Sequence, residues 1–342
     1  MYMAKFILQI VFTGFVLGPS IACHANQSET NTIAKNDKVE KHKEKDLKKD
    51  EASASKAPIA DMIDKLRTRS KSYKWDRSIF VVDGWSQQGE TVNSLPLIYW
   101  TCGNEKSDNR ALILSGVHGD EVTPIYWGFR VVDWLKANPK ICENKYVVVA
   151  PIVNPDGFLR YARGTRTNFN KVDVNRNFNT PDWEKDAHRL WKTKLASQRR
   201  YYPGDKPDSE PETIFQKWLI EHFKPKKIMS VHSPLNMLDF DSPGKDDLKE
   251  FSQAYIESCD LLRSEMKRTT TILQFHAYGV FPGSLGNYAG KVLGIPTITP
   301  ELPTSNPSEA AWYFGEMEAS LRMFLDYKMV PKPDNAKLAN KN

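Results

Sequence analysis

Only four of the 342 residues are cysteine, and no two of them form a CxxC pair. That excludes a disulfide scaffold, a thioredoxin-type redox site and a cysteine-only zinc site. The chain also lacks a block of like charge dense enough for a nucleic-acid footprint: 48 Lys and Arg against 42 Asp and Glu leave a net charge of +6 spread along its length. No apolar run reaches the ~20 residues needed to cross a bilayer, which excludes a multi-span membrane protein. Neither an internal repeat nor a collagen period occurs. With 40% hydrophobic and 26% charged residues, the balance is that of a water-soluble globular protein. Its chemistry must be sought in histidine, carboxylate and arginine side chains.

The organisation along the chain reads as four segments. Residues 1–25 begin with a basic residue, Lys5, continue with an apolar run over 6–17 and end in small residues, the layout of a secretory signal peptide. Cys23 follows Ser20-Ile-Ala22 and loosely resembles a lipoprotein processing site, so a lipid anchor there stands beside simple cleavage after Ala22 or Ala25. Residues 26–58 are Lys, Glu, Asp, Ser, Thr and Ala with almost no large apolar side chain, too polar to offset ordering entropy, and are expected to be a disordered charged tether. One domain is expected over 59–330, followed by a polar tail over 331–342.

Within 59–330 apolar runs alternate with amphipathic stretches, the order of a single α/β domain. Strands are expected over 78–83, 95–100, 110–116, 146–152, 227–232, 270–275 and 297–301, several of them continuous β-branched runs suited to a sheet covered on both faces. Helices are expected over 123–137, 210–223, 246–267 and 308–327. Ser209 reads as an N-cap, with Pro211 inside the first turn and acids near the positive end of the dipole.

The chemistry gathers where strands end. The strand over 110–115 runs into Gly116-Val-His118-Gly-Asp-Glu121 and then a helix, and ligands in open α/β sheets collect outside the carboxyl ends of strands. His118 and Glu121, three apart in a glycine-flanked turn, are able to offer a nitrogen and a carboxylate oxygen to one metal ion. Alone, such a pair is more often an ordinary turn. His232 ends another strand, and two strands ending in His make coincidence less attractive; two His and one carboxylate form the ligand set of hydrolytic zinc sites. Glu301, at the end of a third strand, is the candidate for the non-ligand carboxylate that moves the proton. A loop from Asn154-Pro-Asp-Gly157 through Arg160, Arg163, Arg166 and Asp173-Val-Asn-Arg176-Asn-Phe178 is rich in guanidinium forks that suit a substrate carboxylate.

Those five ordered segments resemble the zinc carboxypeptidases of the carboxypeptidase A superfamily over about residues 78–326. The resemblance implies an α/β fold with a central mixed, largely parallel twisted sheet flanked by helices, and one Zn2+ bound by His118, Glu121 and His232. It implies Glu301 as general base and Arg166 as the group that polarises the scissile carbonyl. Asn175 and Arg176 would hold the terminal carboxylate, and Asp173 would orient His118. Tyr278 would be the substrate-capping tyrosine, and Ser284 with Leu285 would line the specificity pocket. The stretch around these last residues carries no Asp to argue for a Lys- or Arg-specific enzyme.

Within the superfamily, Gly164-Thr-Arg-Thr-Asn168, Ser209-Glu-Pro-Glu-Thr213, Val231-His-Ser-Pro-Leu-Asn236 and Phe281-Pro-Gly-Ser-Leu-Gly286 resemble the bacterial murein peptide amidase branch. That likeness implies hydrolysis of the γ-D-glutamyl–meso-diaminopimelate bond of peptidoglycan stem peptides; with the signal-peptide layout of residues 1–25 and the tether, an exported enzyme of the periplasm or cell envelope is expected, whereas cytoplasmic relatives recycle fragments. The expected partner is the stem peptide, with no nucleic acid, no membrane span in the mature protein and a monomeric state. Two other classes remain open: a carboxypeptidase of ordinary peptide C-termini, and a non-catalytic wall-peptide binding protein, which the presence of Glu301 disfavours. Cys102 and Cys142 flank strand ends and either bridge or stay as free thiols, leaving Cys259 single.

Overall fold

A computed structural model describes residues 56–242, 252–276 and 279–331. The expected signal segment, Cys23, the tether up to residue 55, residues 332–342 of the tail and Tyr278 lie outside the described residues. The chain runs through α1 (Lys56–Ser70), β1 (Ser86–Glu90), β2 (Pro96–Gly103), β3 (Arg110–Ser115), α2 (Val122–Ala137), β4 (Tyr146–Ala150) and the short α3 (Pro155–Arg160). Then come α4 (His188–Thr193), α5 (Pro211–Phe223), β5 (Lys227–Val231), β6 (Met237–Ser242), α6 (Gln253–Thr269), β7 (Gln274–His276), β8 (Thr297–Glu301) and α7 (Ala310–Asp326).

The strands form one mixed sheet in the order β1-β2-β4-β3-β5-β8-β6-β7. At its centre β4, β3, β5 and β8 are parallel neighbours, while β1, β2 and β6 meet the sheet antiparallel. Side chains alternate between two cores, as the period of a strand requires. Ala111, Ile113, Val147, Val149, Met229 and Val231 join one cluster with α2, α6 and α7. Leu112, Leu114, Val148, Ala150 and Ile228 join the other with Phe215 and Leu219 of α5. Both faces are therefore covered, which is why these strands read as unbroken apolar runs.

Three sequence expectations need correction. No strand spans 78–83: Asp76 accepts from Ser78 N at 2.9 Å and caps a 3-10 turn over Arg77–Ile79. The strand that opens the sheet is β1, a polar edge segment without apolar alternation. Over 270–275, α6 continues to Thr269, and the strand β7 is only Gln274–His276. Ser209 is not the N-cap of α5; Glu210 occupies that place, and its backbone N is met instead by Asn177 Oδ1 at 3.1 Å. Ser209 Oγ donates to Glu210 Oε1 at 2.6 Å. Helix α6 starts at Gln253, with residues 246–251 of its expected range outside the described residues.

Two further elements that were not anticipated bear on the core and the site. Helix α1 buries Ile59, Met62, Ile63 and Leu66, a stripe at helical spacing, against a cluster containing Trp75, Phe80 and Phe158. Strand β6 pairs antiparallel with β8 and alternates Leu238 and Phe240 with Asp239 and Asp241. Cys102 and Cys142 form a disulfide with Cα atoms 5.8 Å apart, and Cys259 is free and buried.

Candidate metal centre and active site

The neighbouring parallel strands β3, β5 and β8 deliver three side chains to one edge of the sheet. His118 follows β3, His232 follows β5, and Glu301 closes β8. The turn after β3 is held against α3 with no space between backbones. A Cβ on Gly119 would lie 2.1 Å from the carbonyl carbon of Gly157, so only glycine fits. Asn154 keeps α3 in place, its Oδ1 accepting from Gly157 N at 2.8 Å. The Asn154-Pro-Asp-Gly157 segment is thus scaffold for the turn rather than part of an anion clamp.

His118 Nδ1 lies 2.8 Å from Glu121 Oε1, and His232 Nδ1 lies 2.9 Å from Glu121 Oε2. The two Nδ1 atoms face each other at 3.2 Å. Each ring is anchored at its far nitrogen: His118 Nε2 is 3.1 Å from Asp173 Oδ1, and His232 Nε2 is 3.0 Å from Ser230 Oγ. Anchoring Nε2 turns both Nδ1 atoms to a common point beside the Glu121 carboxylate. All three residues are buried, and their donor atoms lie within 4.8 Å of one another, the one such group among the described residues. Two imidazole nitrogens and one carboxylate, all held by partners behind them, fit a zinc ion.

Asp173 organises the floor of this site. Besides His118, it accepts from Arg166 Nε at 2.8 Å and from Asn175 N at 3.0 Å. Burial opposes its charge, but the Arg166 guanidinium and His118 hold its carboxyl well below the usual range. Glu121 is also held far down: burial opposes its ionisation, and His118 with His232 outweigh burial. Arg166 Nη1 reaches Glu121 Oε1 at 3.2 Å, while its guanidinium lies 5.1 Å from the centre of the Tyr201 ring. Glu301 behaves oppositely. Burial, and then the charge of Glu121, push it up to about 7, and its Oε2 is buried without a hydrogen-bond partner in the structure.

These groups line one cavity of about 390 Å3. It brings together His118, Glu121, Arg166, Asn175, Arg176, His232, Ser284, Leu285 and Glu301, whereas Arg160 and Arg163 are not among its lining. Asn175 Oδ1 accepts from Leu285 N at 2.8 Å, tying the Arg176 turn to the Ser284 turn. The Arg176 guanidinium sits 4.3 Å from the centre of the Phe281 ring. Among the lining residues that sequence reasoning missed are Tyr201, Arg200, Asp239 and Asp241. Tyr201 and Arg200 lie in an isolated turn with no motif around them; the two acids carried a signal, since they alternate with apolar residues along β6.

Two histidines and a glutamate able to hold a metal ion, gathered at the carboxyl edge of an α/β sheet, point to a class of protein. The zinc carboxypeptidase family model matches residues 62–331, and the chain belongs to that family. Murein peptide amidase A of Vibrio campbellii is 32% identical over 235 residues, covering 67% of this chain and 82% of the relative. Murein peptide amidase A of Escherichia coli is 31% identical over 232 residues, covering 67% and 85%. Among solved structures, bovine thrombin-activatable fibrinolysis inhibitor in complex with tick carboxypeptidase inhibitor shares the fold at a TM-score of 0.57 and 18% identity, covering 78% of this chain and 95% of that one. The chain is accordingly an α/β metallocarboxypeptidase.

Proposed function

We propose that this enzyme removes meso-diaminopimelate from peptidoglycan stem tripeptides by hydrolysing the γ-D-glutamyl–meso-diaminopimelate bond. The observation that carries the chemistry is the convergence of His118, Glu121 and His232 on one point, with the buried, unpartnered Glu301 Oε2 in the same cavity. The substrate rests on the two murein peptide amidases, each about a third identical over two thirds of the chain. With residues 1–25 as an export signal, the site of action is the periplasm or cell envelope.

His118, Glu121 and His232 would hold a single zinc ion, and Asp173 and Ser230 keep the two rings turned toward the point where it would sit. When bound, zinc supplies Lewis acidity and makes water a stronger acid at neutral pH. Glu301 takes the proton from the attacking water and passes it to the departing nitrogen; a carboxyl raised to about 7 is suited to both transfers. Arg166, fixed by Asp173 and Glu121, donates to the carbonyl oxygen as it gains charge. Asn175 and Arg176 hold the terminal carboxylate, and Ser284 and Leu285 wall the pocket beside it; the substrate-capping role expected of Tyr278 lies outside the described residues.

The test is metal analysis joined to kinetics on L-Ala-γ-D-Glu-meso-diaminopimelate. One zinc per chain is expected, with hydrolysis abolished by a chelator and restored by zinc. A folded, zinc-loaded protein that leaves this tripeptide intact sinks the murein reading.

A further inference from the structure

We propose that a basic surface beside the cavity, formed by residues 160–171 and 188–202, docks the peptidoglycan polymer itself, so that this enzyme acts on stems still hanging from their glycan strand. This rests on the reading of the cavity as the site of a murein peptidase, and it adds the form in which the substrate arrives.

The two segments carry nine Lys and Arg, four in the first and five in the second, and no Asp or Glu. The rest of the chain holds 39 Lys and Arg against 42 Asp and Glu, so these segments account for the positive net charge. Neither is a continuous basic run; the fold brings them together. Arg199 Nη2 donates to Asn170 O at 3.3 Å, Asp173 N donates to Tyr202 O at 2.8 Å, and the centre of the Tyr201 ring lies 5.1 Å from the Arg166 guanidinium. Both segments reach the cavity: Arg166 lines it from the first, and Leu195, Arg200 and Tyr201 line it from the second.

Most of this charge is not neutralised within the chain. Arg166 is held by Asp173 and Glu121, Arg200 by Asp120 at 3.3 Å and Arg189 by Asp186 at 2.7 Å. Arg163, Lys171, Lys192, Lys194 and Arg199 are exposed and form no ion pair among the described residues. Arg160 stands between two exposed rings, its guanidinium 5.3 Å from the centre of Tyr161 and 4.7 Å from that of Phe169. Arg69 of α1 donates to Tyr161 O at 2.8 Å and so fixes this stretch against the domain. A partner that covers such a surface needs many negative charges and flat apolar faces, and one that also reaches into the cavity has to carry the substrate. Peptidoglycan meets each demand. The γ-linkage leaves the α-carboxylate of D-glutamate free, so each tripeptide stem holds more carboxylates than ammonium groups, and the stems hang from sugar rings whose C–H faces pack on aromatic side chains. A field of one sign beside a cleft raises the local concentration of such an oppositely charged ligand.

The test joins co-sedimentation of the zinc-loaded full chain with purified sacculi bearing tripeptide stems to kcat/KM on free L-Ala-γ-D-Glu-meso-diaminopimelate. Binding is measured in a Glu301→Gln background so that the stems stay intact, and kinetics with Glu301 in place. Two double variants are compared with the parent, Arg163→Glu with Lys171→Glu and Lys192→Glu with Lys194→Glu; all four side chains are exposed. The parent is expected to bind sacculi at low salt and to lose roughly tenfold in affinity by physiological ionic strength. Each double variant is expected to bind roughly tenfold or more weakly at low salt, while its kcat/KM on the free tripeptide stays within about threefold of the parent. Equal binding of the parent to native sacculi and to sacculi with amidated carboxyl groups overturns the proposal whether or not the variants fold. Unchanged affinity in both variants overturns it too, as does tighter binding to phosphatidylglycerol vesicles than to sacculi, which would make the surface a membrane contact. Binding as expected, with diaminopimelate released from neither substrate, keeps the docking surface and removes the murein hydrolysis. Hydrolysis of the free tripeptide by a protein that does not sediment with sacculi does the reverse.

Discussion

Asp173 illustrates how much of this site depends on a residue that touches no substrate. It sits wholly buried, yet three donors meet its two oxygens: His118, Arg166 and the backbone of Asn175. Asp173→Asn keeps the shape and removes the charge that anchors His118, so zinc affinity should fall by about 10- to 100-fold. Competition with a chromogenic chelator measures this, and an unchanged affinity would deny Asp173 its orienting role. Glu212 gives a prediction in pH. Burial raises it from 4.5 to about 7, and its Oε1 is buried without a partner. The folded state therefore holds its proton more tightly than the unfolded state. The stability it contributes is complete below pH 4.5 and is lost as pH rises through 7. Glu212→Gln should match wild type at pH 4 and exceed it at pH 8.5 by up to about 3 kcal/mol in urea unfolding. A gain of equal size at both pH values would contradict this. His118, Glu121, His232 and Glu301 were legible because each stands at the end of an apolar run. Tyr201 was not, since nothing local marks a side chain whose partners, such as Arg166, lie far away in sequence.

At the scale of elements, legibility followed burial. The covered strands β3, β4, β5 and β8 all showed in the sequence, because both of their faces are apolar. The edge strand β1 has nothing to bury, and β6 carries Asp at alternate positions, residues disfavoured in strands unless the site needs them. Helix α1 was hidden by its position next to a charged segment, although Ile59, Met62, Ile63 and Leu66 do form a stripe. The Cys102–Cys142 bridge joins the end of β2 to the turn after α2 and closes a separation of 40 residues. A loop of that length corresponds to about 4 kcal/mol on the chain-entropy model. Cys102 pairs with Val147 near the start of β4, at the sheet edge opposite the metal centre. Cys102→Ser should therefore lower the unfolding midpoint while zinc stoichiometry stays the same; loss of zinc at temperatures where the variant is folded would show that the bridge reaches the site.

For the molecule as a whole, the order of strands explains the function. Because β3, β5 and β8 are adjacent and parallel, their carboxyl ends place the two proposed metal-binding histidines and the proposed proton-transfer acid at one edge, and antiparallel β6 brings Asp239 and Asp241 alongside. The loops after β4 contribute the arginines that face them. The sequence could show each strand end, but not that these strands are neighbours, because order in a sheet is set by packing of the helices over both faces. The measurement that tests the central claim is mass spectrometry of muropeptides incubated with the zinc-loaded full chain and with Glu301→Gln. Wild type should convert tripeptide stems to dipeptides with release of diaminopimelate, and Glu301→Gln should be slower by about a hundredfold to ten-thousandfold with zinc retained. Intact tripeptide stems with wild type, or equal conversion by Glu301→Gln, would contradict it.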